Sequence, residues 1–206
     1  MAKVVSEAVV KRLPRYYRYI KQLEQKGKIK VSSLELASLM NITASQVRQD
    51  FCNFGEFGQQ GYGYDIKKLK GEIVKILGLN KKYNMIIFGA GNIGSALAGY
   101  KGFINEGFNI GGIFEVEPTK DEIHGVKIYP TNYLSEYLKE NTVDIAVIAT
   151  QSKDAEQVAE TIVKAGIKNI WNFAPIELDC GKNVIVENIF MSDSLYVLSY
   201  KMSHRK

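Results

Sequence analysis

Apolar residues recur at three- and four-residue spacing through the first eighty positions, while short apolar runs alternating with helical patterns fill the rest of the chain. Over residues 4–26 the repeat Val5, Ala8, Val9, Leu13, Tyr16, Tyr17, Ile20, Leu23 predicts one amphipathic helix. Pro14 falls inside it and predicts a break, a kink or the first turn of a second helix; Gly27 ends the pattern. Residues 31–40 and 44–51 predict two short helices, the first with a serine N-cap. They are joined by Asn41-Ile42-Thr43, with Leu36, Ala37, Ile42 and Val47 facing inward, which is the spacing of a helix-turn-helix. Four glycines and three aromatics in residues 55–64 predict a tight hairpin in the place of a wing. A further helix is expected over residues 65–77, with Ile66, Leu69, Ile73, Ile76 and Leu77 on one face.

Beyond a boundary at residues 78–83 the period changes. Asn84-Met85-Ile86-Ile87-Phe88 is an apolar run that feeds Gly89-Ala90-Gly91-Asn92-Ile93-Gly94 and then a helical pattern to about residue 105. A buried strand, a tight glycine turn and a helix N-terminus in that order form the dinucleotide fingerprint. Gly89 permits the turn, Gly91 lets the backbone approach a pyrophosphate, and Gly94 lets helix and strand pack closely. A second strand, 108–114, ends in Glu115, 21 residues after Gly94. A carboxylate at that spacing bonds ribose hydroxyls and repels a 2′-phosphate, so the expected ligand is NAD(H). Strands at 125–129, 143–149, 168–172 and 183–186 alternate with helices at 131–140 and 154–165. Tyr133, Leu134, Tyr137 and Leu138 are expected to face the sheet. Thr150 and Gln151 follow one strand, and Asn172 and Phe173 end another, where ligands bind in open α/β sheets. The expected architecture is α/β: a winged helix-turn-helix over residues 1–80, a Rossmann-like doubly wound parallel sheet over 81–188, and a terminal helix over 189–206.

Charge sharpens this division. Residues 1–82 carry 16 Lys and Arg against 7 Asp and Glu, whereas residues 83–206 carry 11 against 15. A basic front half points to a polyanion partner. On the second helix of the helix-turn-helix, Ser45, Gln46, Arg48 and Gln49 form a polar outer face suited to base edges, Arg to guanine and Gln to adenine. By themselves these residues fit a solvated helix face equally well. No uncharged apolar run approaches the roughly 18–20 residues of a membrane span. Cys52 and Cys180 lie far apart without ligand spacing, which points to a reducing cytoplasm and to no metal site.

The chain resembles the Rex redox-sensing transcriptional repressors along essentially its whole length. The resemblance rests on Arg12-Leu13-Pro14-x-Tyr16-Tyr17-Arg18-Tyr19, Gln46-Val47-Arg48-x-Asp50, Phe54-Gly55-Glu56-Phe57-Gly58 and Gly61-x-Gly63-Tyr64. It continues through Ile76-Leu77-Gly78-Leu79, the glycine fingerprint with Ser95-Ala96-Leu97, and Asn172-Phe173-Ala174-Pro175. It implies a cytoplasmic homodimer that binds NAD(H) and double-stranded palindromic operator DNA, and is released from DNA by NADH. It further implies DNA contacts by Arg12, Arg15, Ser45, Gln46, Arg48, Gln49 and Gln60, and a C-terminal helix that crosses to the other subunit.

Three departures bear on function. Gln49 stands where the family usually has Lys, and Gln59-Gln60 where the wing often carries a basic residue. Each lost phosphate contact lowers affinity and flattens its salt dependence. At the start of the C-terminal helix Phe190 replaces an Asp that meets an Arg and a Tyr near the nicotinamide, positions matched here by Arg18 and Tyr100. Asp193, one helical turn on, is the candidate substitute.

Two other functions compete. A dehydrogenase needs a proton-transfer group beside the hydride. The only histidines are His124, in a turn-like segment, and His204, in the tail, and the nucleotide fold leaves no room for a substrate domain. The expectation is therefore not an enzyme. The other competitor is an NAD(H)-binding paralogue with weakened operator binding that acts through a protein partner.

Overall fold

The computed structural model describes residues 5–54 and 62–205, and the chain divides into two compact units, residues 1–81 and 82–206. In the first unit, α1 (Glu7–Gln25) is followed by β1 (Lys30–Val31), α2 (Ser33–Met40), α3 (Ala44–Cys52), β2 (Tyr64–Asp65) and α4 (Ile66–Ile76). Local chemistry sets the starts of the helices. Ser32, Thr43 and Asp65 each accept a backbone N–H three residues on, at 3.1, 3.1 and 2.9 Å. Asn41 closes α2 at φ 54°, the left-handed cap that turns the chain toward α3. The α2–α3 pair packs as a helix-turn-helix over Leu13, Tyr16, Ile20, Leu36, Val47, Phe51, Ile66 and Ile73. Strands β1 and β2 pair antiparallel, Lys30 opposite Asp65. Most of the hairpin expected over residues 55–64, Gln60 included, lies outside the described residues.

Pro14 neither breaks nor divides α1, which runs through it. It sits on the exposed face, where the carbonyl one turn back, on exposed Val10, is open to water, while Leu13 and Tyr16 anchor the helix on either side.

The second unit holds a seven-stranded sheet. Its elements are β3 (Tyr83–Phe88), α5 (Asn92–Ala98), α6 (Gly102–Asn105), β4 (Phe108–Glu115), β5 (Glu122–Ile123) and β6 (Val126–Pro130). They continue through a 3-10 turn (Thr131–Tyr133), α7 (Leu134–Glu140), β7 (Ile145–Ile148), α8 (Ser152–Lys164), β8 (Asn169–Asn172), β9 (Ile185–Asn188) and α9 (Asp193–Ser203). The strand order is β5-β6-β4-β3-β7-β8-β9, and every pair but β5–β6 is parallel. Without β5 this is the doubly wound order that reverses between β3 and β7, the crevice where such sheets bind ligands. Alternate residues of β3 serve opposite faces. Ile86 and Phe88 pack with residues of α7 and α8, while Met85 and Ile87 pack with Ile93, Leu97 and Phe103 of α5 and α6. Burial on both faces explains the nearly unbroken apolar run.

The second unit differs from expectation in four places. The helix expected to about residue 105 is interrupted around Tyr100. The hairpin strand β5 went unread, because two residues carry no period. Strand β9 follows β8 without an intervening helix, so strand–helix alternation is not continuous. Tyr133 is exposed and stacks on Tyr129 rather than facing the sheet.

Candidate functional site

The fingerprint forms the turn its spacing implies. Gly89 lies at φ +106°, and a Cβ there would sit 2.7 Å from the Ala149 carbonyl oxygen. A Cβ on Gly94 would lie 1.9 Å from the Gly89 oxygen, so only glycine lets α5 start this close to β3. Gly91 has open space on its side-chain direction and caps α5 with no side-chain bond. The unpaired amides at the start of a helix then face whatever enters. Asn92 and Ile93 begin that helix.

Glu115 ends β4 beside this turn. One of its oxygens accepts the Ala90 N–H at 2.7 Å and the other the Val116 N–H at 2.8 Å. The carboxylate is thereby fixed in orientation, and the Ala90 amide is engaged. A cleft of about 640 Å³ runs from Gly91 and Asn92 past Glu115 to the loop after β4, where Lys120, Ile123 and His124 line it. No local pattern marks this far wall, because it belongs to a loop and a two-residue strand. Across the switch point the Thr150 hydroxyl oxygen is buried with no hydrogen-bond partner, the orphaned side-chain atom found among the described residues. It lies just beyond β7, next to Gly89. Gln151 follows, exposed, as the N-cap of α8 without a side-chain bond. An open glycine, an oriented acid and an orphaned hydroxyl at one crevice fit a dinucleotide.

Asn172 does different work. Its buried amide donates to the Ala174 and Ile176 carbonyls and to Asn188 Oδ1, and its own oxygen accepts the Ala174 N–H at 2.9 Å. This knot shapes the Asn172-Phe173-Ala174-Pro175 turn and engages both the nitrogen and the oxygen of the side-chain amide. Phe173 is half-buried against Trp171, with ring centroids 4.6 Å apart.

In the first unit the buried Asp50 carboxylate joins α3 to α1. Arg12 grips it through Nε at 2.7 Å and Nη2 at 2.8 Å, Tyr16 donates its hydroxyl at 2.9 Å, and Gln46 its amide at 2.7 Å. Burial alone would push the Asp50 carboxyl up, but the bonds from Arg12, Gln46 and Tyr16 together hold it below the usual carboxylate range. Burial and the Asp50 contact push Tyr16 far up. Arg12 and Gln46 are thus committed to holding α3, and Arg15 donates to the Met40 carbonyl at the end of α2. On the outer face of α3, Ser45, Arg48 and Gln49 remain exposed, and Arg48 bonds Ser45 and Ser33. Arg18 is exposed on α1 and Tyr100 at the α5–α6 break. Phe190 is half-buried, and Asp193 is exposed in the first turn of α9. No residue of α9 is buried, although it carries Leu195, Tyr196, Val197, Leu198, Tyr200 and Met202. Among the described residues no helix is long and apolar enough to cross a membrane.

A helix-turn-helix unit ahead of a dinucleotide-type sheet defines the class of a nucleotide-responsive regulator. Comparisons narrow it. Residues 4–52 match the family described as "Putative DNA-binding protein N-terminus", and residues 80–176 match "CoA binding domain". The "Redox-sensing transcriptional repressor Rex" of Caldicellulosiruptor saccharolyticus is 49% identical over 98% of this chain and 94% of its own. The protein of that name from Clostridioides difficile is 45% identical over 99% and 98%. The crystal structure of RSP in complex with beta-NAD+ and operator DNA superposes with a TM-score of 0.91 at 45% identity, covering 98% of this chain and 94% of that one. The chain belongs to the Rex family of redox-sensing transcriptional repressors. Its relatives are repressors and not enzymes.

Proposed function

We propose that two copies of this chain bind a palindromic operator with NAD⁺ or no ligand present, and release it when NADH occupies the clefts. The observation that carries this reading is the coexistence, on one chain, of an exposed polar face on α3 and a β3/β7 crevice with an orphaned hydroxyl. Solved relatives bear the two ligand states: RSP with beta-NAD+ and operator DNA, and RSP with beta-NADH, the latter 42% identical with a TM-score of 0.90.

The pyrophosphate lies over Gly89–Gly94, Glu115 holds the adenosine ribose, and Thr150, Gln151 and Phe173 line the nicotinamide side. Asn172 acts through the turn it builds. Ser45, Arg48 and Gln49 meet base edges, with Arg48 suited to guanine. Arg15 and Gln60 are the candidates for the phosphate backbone. Arg12 and Gln46 hold α3 at its angle. An all-round exposed apolar helix fits α9 as a segment buried by crossing to a second copy. Two free cysteines fit a cytoplasmic setting.

The switch works by population. NADH moves the equilibrium only by binding the released state more tightly than the DNA-bound one. Phe190 cannot accept hydrogen bonds, and Asp193, exposed in the first turn of α9, is the carboxylate proposed in its place. Asp193→Ala is expected to raise the NADH concentration that half-releases operator DNA at least several-fold, measured by fluorescence anisotropy. A release curve identical to that of the wild type would mean that the switch runs on packing alone. Competition with random DNA tests the reading as a whole. A repressor keeps an operator preference on the order of 10³-fold or more, whereas a paralogue acting through a protein partner shows none.

A further inference from the structure

We propose that Ser33 is a positioning residue for operator recognition, holding the Arg48 guanidinium in the plane from which it reads a guanine. This rests on the reading of Arg48 as a base contact. Ser33 opens α2, and its Oγ accepts a hydrogen bond at 3.2 Å from Nη1 of Arg48, 15 residues further on in α3. Ser45 Oγ accepts another from Nη2 at 3.0 Å. One bond crosses between helices and the other lies within α3, so the fork is held from two directions. Burial pushes the Tyr64 phenol up and the Arg48 charge offsets part of that push, which places the guanidinium near β2 as well.

The anchor is firm. Val31 is buried and pairs with Tyr64 across β1 and β2, and Ser32 caps α2 through the Glu35 N–H. A Cβ on Gly63 would lie 2.7 Å from the Val31 carbonyl oxygen and 3.6 Å from Ser32 Cα, so the chain entering β2 packs directly on the residues before Ser33. Tyr64 in turn meets Phe51 of α3 edge-on, with centroids 5.2 Å apart. The start of α2, β2 and α3 thus form one closed frame, with Ser33 half-buried in it. A guanidinium carries five N–H groups in one plane. The two serines take one on each terminal nitrogen, which leaves the Nε–H and one N–H on each terminal nitrogen for the paired acceptors O6 and N7 of guanine. An arginine free to swing meets phosphate on any sequence, whereas a fork held in place favours the base whose acceptors match it.

The test titrates full-length protein, by anisotropy at several salt concentrations, with a palindromic promoter fragment, with fragments in which each guanine is replaced in turn, and with random DNA. Ser33→Ala keeps the Ser32 cap, so its melting temperature is expected to hold. The variant is expected to lose discrimination at one guanine of each half-site by about two- to tenfold, the scale of one net hydrogen bond. Its affinity for random DNA and its salt dependence are expected to stay as in the wild type. Ser33→Thr, which keeps the hydroxyl, is expected to restore the preference. Wild-type discrimination at every position in Ser33→Ala would overturn the proposal. A uniform loss across all sequences with a shallower salt dependence would overturn it too, since that pattern marks a lost phosphate contact. Arg48→Ala is expected to erase the preference at the same guanine. If Arg48→Ala kept every preference, the base-contact reading would fall first and the positioning role with it.

Discussion

Asp50→Ala is expected to destabilise the N-terminal unit by about 3–5 kcal/mol, the scale of removing one partner from a buried ion pair. The side chain is fully buried, and its loss strands the Arg12 guanidinium, the Tyr16 hydroxyl and the Gln46 amide together. Urea unfolding followed by circular dichroism would show an early transition for this unit. Trp171, the single tryptophan, sits in β8 of the other unit and provides a control whose fluorescence midpoint stays in place. The same carboxylate predicts the acid response of the wild type. Its pKa in the fold lies below that of the unfolded chain, so the folded state binds fewer protons. The stabilisation is therefore complete above about pH 4 and is lost as pH falls through the depressed value. Asp50→Ala removes that part of the acid sensitivity. DNA affinity falls with it, because α3 loses its tie to α1.

Gly94→Ala is expected to be the most damaging single methyl in the second unit. Its Cβ would lie 1.9 Å from the Gly89 oxygen and 3.1 Å from the Gly89 carbonyl carbon, both backbone atoms that move only if α5 leaves β3. Overpacking of this severity belongs at or above the top of the roughly 1–3 kcal/mol range. The Trp171 fluorescence midpoint should drop accordingly, and NADH binding by calorimetry should vanish. Gly91→Ala has open space and tests the other half of the argument. It should leave the midpoint unchanged yet weaken NADH, since the added methyl stands where the pyrophosphate approaches.

What could be read from the chain alone followed the range of the interaction. Ser32 is a cap whose partner lies three residues on, so the start of α2 is legible locally. The apolar run at residues 84–88 announced a strand buried on both faces, and the glycine spacing announced the turn. The resemblance implies DNA contacts by Arg12 and Gln46, and nothing local in the sequence points to the buried carboxylate that both side chains bond. Their partner Asp50 is 38 residues from Arg12, and only the packing of α1 on α3 brings them together. Asn172 lies 16 residues from its partner Asn188, again a pairing set by the sheet. The β5–β6 hairpin was too short to carry a period, which hid the far wall of the cleft and the histidine on it. The apolar helix α9 is legible as a helix, and within one chain none of its residues is buried.

In the proposed switch, one molecule couples a reduced nicotinamide to release from DNA. Its most direct test is a titration of a palindromic promoter fragment at fixed salt, read by anisotropy, with no ligand, with NAD⁺ and with NADH. Tight binding is expected in the first two conditions, and loss of binding with NADH alone. Equal binding in all three, with NADH uptake confirmed by calorimetry, would contradict it.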